Sequence, residues 1–146
     1  MSISIGIDPD CEAHGVAIFI NGNLDTLKSM TLVELMSVFK ELEHKNPVVH
    51  IENVCAQNAA FKKKYVKNAA ASTAISRTLG MCQQAQVEVE RMANYYGIKV
   101  VRHKISSAWK DASSGRKTFE TATGWKLRSN KDTRSAAYFG YLGAHE

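Results

Sequence analysis

Asp8, Glu52 and Asp132 are the residues of this chain whose type and placement could do chemistry. Asp8 closes the run Ile3-Ser4-Ile5-Gly6-Ile7, and Glu52 closes Val48-Val49-His50-Ile51. Asp132 falls in the first turn of a helix that Ser129-Asn130 can cap. Carboxylates brought within a few ångströms of one another repel unless a proton or a cation sits between them. Hard oxygen ligands that keep open positions suit Mg²⁺ or Mn²⁺. Two such ions about 3.5–4 Å apart can clamp both the attacking water and the leaving oxygen of a phosphodiester. Singly, none of the three acids carries that conclusion. An acid at a strand end is usually a solvated loop residue, and an Asp in a first helical turn usually serves the macrodipole. The set gains meaning only if the fold brings its members together.

The elements that must do so can be read in order. The alternating isoleucines of Ile3 to Asp8 predict a strand, stopped by Pro9. Gly15 to Ile20 is a second strand and Leu24 to Ser29 a weaker third, joined by the hairpin signal Asn21-Gly22-Asn23. Thr31 with Glu34 forms a Thr-x-x-Glu capping box, and Leu32, Leu35, Met36, Phe39 and Leu42 follow at helical spacing to about Lys45-Asn46-Pro47. The continuous apolar strand Val48 to Glu52 suits the centre of a sheet. Asn53 to Asn68 reads as a loop, partly helical at most. Ser72 to Tyr96 is a long helix stopped by Gly97, and Ile98 to Arg102 is a fifth strand, parallel to the fourth because a helix joins them. Ser107-Ala108-Trp109-Lys110 could start a short helix, and Ser113 to Lys117 reads as a mobile turn. The last helix runs to about Leu142. The expected architecture is α/β: a five-stranded mixed sheet, three antiparallel strands then two parallel, flanked by helices. At 146 residues this is one expected domain, 1–146.

The formal charge of +5 favours an anionic partner only weakly, but its distribution is informative. Lys99 to Arg134 holds ten Lys or Arg against three acids, and Lys62, Lys63, Lys64 and Lys67 cluster earlier. Such segments fit a polyphosphate backbone better than scattered solubilising charge does. Phe61 and Tyr65 flank the first cluster and could stack on an unpaired base, worth roughly 1–3 kcal/mol, or equally pack against a helix. Lys104, Lys110, Arg116 and Lys117 are candidates for phosphate contacts, which position DNA without reading its sequence; each alone could be solvated surface. Trp109 and Trp125 read as core or rim anchors. His14, His50 and His103 lack the spacing of a zinc site. Three widely spaced cysteines, Cys11, Cys55 and Cys82, argue against a disulfide framework. No run approaches the roughly 18 apolar residues of a membrane span, and no signal-peptide pattern is present, so a cytoplasmic protein is expected.

Gly6-Ile7-Asp8-Pro9, then Gly15-Val16-Ala17, Ile51-Glu52, a long helix containing Leu79-Gly80, and Asp132 in an Ala-rich last helix together resemble the RuvC-type Holliday junction resolvases, of the RNase H-like nuclease fold. The resemblance covers nearly the whole chain in order, and its short length is closer to phage or prophage members. It implies a homodimer on a four-way DNA junction and two symmetric Mg²⁺-dependent nicks, with two ions per site and Mn²⁺ as a substitute. It assigns catalysis and metal binding to Asp8, Glu52 and Asp132. The family usually carries a further acid three residues beyond the last; here Ser135 stands there, followed by Ala136, and Asp10 is a further candidate ligand or a turn residue. Two alternatives stay open: another RNase H-like nuclease acting on flaps or RNA–DNA hybrids, and a junction-binding protein with weakened catalysis.

Overall fold

The computed structural model describes residues 1–57 and 68–146. Five strands form one sheet: β1 (Ile3–Asp8), β2 (His14–Ile20), β3 (Asn23–Met30), β4 (Val48–Glu52) and β5 (Lys99–His103). Their spatial order is β3-β2-β1-β4-β5. β1, β2 and β3 pair antiparallel, while β4 runs parallel to β1 and β5 parallel to β4. This is the RNase H-like topology that the sequence led us to expect. Helix α1 (Leu32–Leu42) follows the meander, α2 (Ala69–Tyr95) crosses from β4 to β5, and α3 (Ser114–Thr123) and α4 (Lys131–Ala144) close the chain.

Strand periodicity sorts the side chains onto two faces. Ile3, Ile5 and Ile7 of β1 join Val49 and Ile51 of β4 in a core completed by Leu35 and Phe39 of α1 and Val89 and Ala93 of α2. The residues between them point the other way. On that face Ala17 and Phe19 meet Ala136 and Ala137 of α4, with Trp109 and Phe119. Asp8 and Glu52 belong by parity to the α4 side. Helix α4 lies close on the strands because glycines face it. A Cβ on Gly6 would run into the Ala136 carbonyl, and one on Gly15 into the Asp132 backbone. Ser4 Oγ seals the contact, donating 2.8 Å to the Gly140 carbonyl in a buried bond.

Both helix caps read from the sequence form. Glu34 N donates 3.3 Å to Thr31 Oγ1 and Thr31 N donates 3.1 Å to Glu34 Oε1. Asn130 Oδ1 accepts 2.8 Å from Thr133 N at the start of α4. The Asn21-Gly22 turn has both residues at positive φ, 51° and 84°, as a tight hairpin requires.

Three expectations are corrected. Helix α2 starts at Ala69, not Ser72, because Asn68 Oδ1 accepts from Ala71 N at 2.8 Å and caps it earlier. Ser113 to Lys117 is no mobile turn but opens α3: the Asp111 carboxylate accepts from Gly115 N at 2.9 Å and from the Ser113 and Ser114 hydroxyls at 3.0 Å. Ser107 to Lys110 starts no helix; Trp109 sits at φ 67°, in the left-handed region, and breaks it. Phe61, Lys62, Lys63, Lys64, Tyr65 and Lys67 lie outside the described residues. Among the described residues, no helix is long and apolar enough to cross a membrane.

Candidate active site

Parallel pairing of β1 with β4 runs in register from Ser4–Val48 to Ile7–Ile51, so the next residues along are Asp8 and Glu52. Both are buried, at 7% and 4% exposure. They open into one cavity of about 450 Å³, whose wall also includes Asp10, Lys110, Lys131 and Asp132, with Ile75 and Leu79 of α2 opposite. Asp132 arrives there because the Gly15 backbone, paired with Asp8, admits the first turn of α4. The three acids singled out in the sequence therefore share one cavity.

The electrostatics are those of a buried acidic site that Lys110 compensates only in part. Burial first, and then the Glu52 charge, push the Asp8 carboxyl up to about 7. Ser135 faces Asp8 and favours its anion, but the buried Ser135 hydroxyl is not aligned for a full hydrogen bond. Burial also raises the Glu52 carboxyl, against the pull of Lys110. Lys110 Nζ stands 3.7 Å from Glu52 Oε2, and that oxygen has no hydrogen-bond partner. At such a distance the ammonium attracts the carboxylate without bonding it.

A divalent cation fits these residues on two counts: a buried carboxylate oxygen is left without a hydrogen-bond partner, and burial together with the Glu52 charge holds the proton on Asp8. The fit is an open one. Among the described residues, no three His, Cys, Asp or Glu side chains converge as a ready ligand cage. Mg²⁺ tolerates this, since it keeps several waters and takes one or two carboxylates.

Asp8 makes metal-free stability depend on pH, with a definite sign. Its carboxyl rises from 3.8 to about 7, so between these values the native chain holds a proton that the unfolded chain releases. The resulting stability is fully present below about pH 4 and is lost as pH rises through 7. Urea unfolding of metal-free protein at pH 5 and pH 8 should show wild type weaker at pH 8, and Asp8→Asn should flatten the difference. An equally steep dependence in the variant would refute the assignment to Asp8.

Sequence reasoning missed Arg134. Arg134 is 4% exposed and, among the described residues, has no carboxylate at ion-pair distance. It donates to the carbonyls of Trp109 (2.9 Å) and Lys110 (2.8 Å) and to Ser129 Oγ (3.1 Å). It thus holds the left-handed Trp109 and fixes the backbone from which Lys110 reaches Glu52. Its charge alone looked like part of the basic tail; only its partners reveal a clamp. Trp109 itself is a core anchor, ringed by Phe119, Tyr138 and Tyr141. The chain leaving Glu52 is also pinned. Buried Gln86 accepts from Cys55 N at 2.9 Å and donates to Asn53 Oδ1 at 3.0 Å.

The remaining candidates scatter. Lys104 and Lys117 are exposed away from the cavity wall, and Arg116 is paired to Glu120 at 3.1 Å. Asp10 lines the cavity, and its Oδ1 accepts 2.6 Å from Cys11 N. His14 accepts from Asp10 N at 3.2 Å, and His50 and His103 share a 2.8 Å nitrogen–nitrogen contact that nothing in the sequence signalled.

The sheet order, the crossing helix and the acid-lined cavity define a chain with the RNase H-like fold. Solved structures similar to it include two of the RuvC protein of Thermus thermophilus. One, described as in complex with a Holliday junction substrate, has a TM-score of 0.59 and 14% identity, covering 99% of this chain and 98% of that one. The other has a TM-score of 0.58 and 18% identity, covering 97% and 93%. No known family's sequence profile matches the chain, and no curated protein sequence matches it either.

Proposed function

We propose that the chain acts, as a single domain, as a structure-selective DNA endonuclease that resolves four-way junctions by paired, metal-dependent phosphodiester hydrolysis. The observation that carries this reading is the meeting of Asp8, Glu52 and Asp132 in one cavity, with a buried Glu52 oxygen unsatisfied. The likeness in fold to a RuvC protein solved with a Holliday junction substrate supports the choice of substrate. Mg²⁺, or Mn²⁺ in its place, held by Asp8 and Glu52 with Asp132, would supply Lewis-acid activation of water and phosphate. The chain does the rest. Buried Asp8 and Glu52 stay poised between proton and cation, because burial raises both carboxyls and Lys110 offsets this only in part. The Lys110 ammonium, fixed through Arg134, faces the same space and can take the charge of a phosphate oxygen. Two nicks placed symmetrically on a junction require two such sites, hence a homodimer.

The test is a panel of labelled substrates: a mobile four-way junction, a flap, linear duplex and an RNA–DNA hybrid, each with Mg²⁺, Mn²⁺ or EDTA. Paired nicks confined to the junction and absent in EDTA are expected. Equal cutting of linear duplex would sink the junction reading, and preference for the hybrid or flap would move the chain to another RNase H-like activity. A second reading, a junction-binding protein with weak turnover, draws on Ser135 and on the lack of a three-ligand cage among the described residues. It expects tight junction binding without nicks in either metal.

A further inference from the structure

The loop between α3 and α4 is built to display charge. Gly124 (φ 72°) ends α3, and Trp125 Nε1 folds back to donate 3.2 Å to the Arg128 carbonyl. Trp125 N meets Thr123 Oγ1 at 3.2 Å, Ser129 Oγ accepts from Arg134, and Asn130 caps α4. The loop is thus tied to the helix at each end and braced once within itself. What it holds outward is Lys126, Leu127 and Arg128, all exposed, with Leu127 at 68%. No acid occurs between Thr121 and Lys131. Among the described residues, none of Lys126, Arg128 and Lys131 has a carboxylate at ion-pair distance. Lys126 shares a hollow with Lys117 and with Glu120, whose carboxylate is paired to Arg116, and Lys131, where the loop ends, lines the acid cavity itself.

The geometry points to this loop as a second DNA contact: Lys126, Arg128 and Lys131 neutralise successive phosphates of a duplex arm leading out of the cavity, and Leu127 lies against its sugars in the minor groove. The inference rests on the endonuclease reading and adds to it a surface outside the acid site. Unpaired cations are where phosphates displace condensed counterions most favourably. A braced loop loses little freedom on binding. Minor-groove proteins likewise combine Lys and Arg with an exposed apolar side chain such as leucine.

The experiment is binding of the 146-residue chain to a labelled four-way junction and to one duplex arm, in EDTA, across a salt series. The variants are Lys126→Ala with Arg128→Ala, the corresponding double charge reversal to Glu, and Leu127→Ala. The double alanine variant should make the plot of log affinity against log salt shallower by about 2, one unit for each phosphate no longer neutralised. Leu127→Ala should weaken binding about tenfold and leave the slope unchanged, as removal of apolar surface does. Wild-type binding with an unchanged slope in both double variants overturns the second contact but leaves the endonuclease reading standing. Failure of wild type to bind either DNA overturns both. A change of oligomeric mass in the variants, with the DNA slope intact, would assign the loop to protein contact and overturn the inference.

Discussion

Asp8→Asn is expected to remove metal-dependent junction nicking, a loss on the order of 10³-fold or more, or about 4 kcal/mol of transition-state stabilisation. The amide keeps the size of the carboxylate but cannot carry charge toward a cation. It also removes an acid whose carboxyl is pushed up to about 7 by burial and by Glu52. The variant should therefore be inactive yet, free of metal at pH 8, at least as stable as wild type, the pattern of a site whose function costs stability. Glu52→Gln should lose as much activity, and it leaves Lys110 facing a neutral partner. The decisive measurement pairs nicking rate with unfolding on the same samples. Nicking by Asp8→Asn at the wild-type rate would remove Asp8 from the chemistry. Lost activity together with lost stability would mean that a structural role had been mistaken for a catalytic one.

Gly6→Ala carries the largest expected effect on folding. Gly6 sits in the central strand, and the added Cβ would meet the Ala136 carbonyl and stand 2.6 Å from Gly140 N. Both are backbone atoms of a helix that cannot give locally without leaving the sheet. The strain should cost about 3–5 kcal/mol, beyond ordinary overpacking because no side chain can rotate away. Gly80→Ala is the control. Gly80 is exposed within α2, its added Cβ meets nothing within 4 Å, and it should stabilise the chain by about 0.5–1 kcal/mol. Urea denaturation reads both. Gly6→Ala within about 0.5 kcal/mol of wild type would show that α4 does not bear on β1 as described.

The sequence by itself determined the elements and the acids. Isoleucine alternation in β1, the Thr31–Glu34 box and the Asn21-Gly22 turn are local signals, and local interactions satisfied them in place. The helical crossover from β4 to β5 fixed their parallel sense, because it returns the chain to the end of the sheet where β4 began. Asp8, Glu52 and Asp132 were legible because each ends or begins an element whose boundary is itself a local event. What the sequence hid was decided once by a nearby carboxylate and otherwise by partners far along the chain. Asp111 turned an apparent Ser-Ser-Gly turn into the start of α3 by gathering three donors. Arg134 became a buried clamp because the carbonyls of Trp109 and Lys110, 25 and 24 residues away, come to it. Whether three acids face one cavity depended on how closely α4 approaches β1 and β2. That distance is set by Gly6 and Gly15, residues whose importance lies in the side chains they lack.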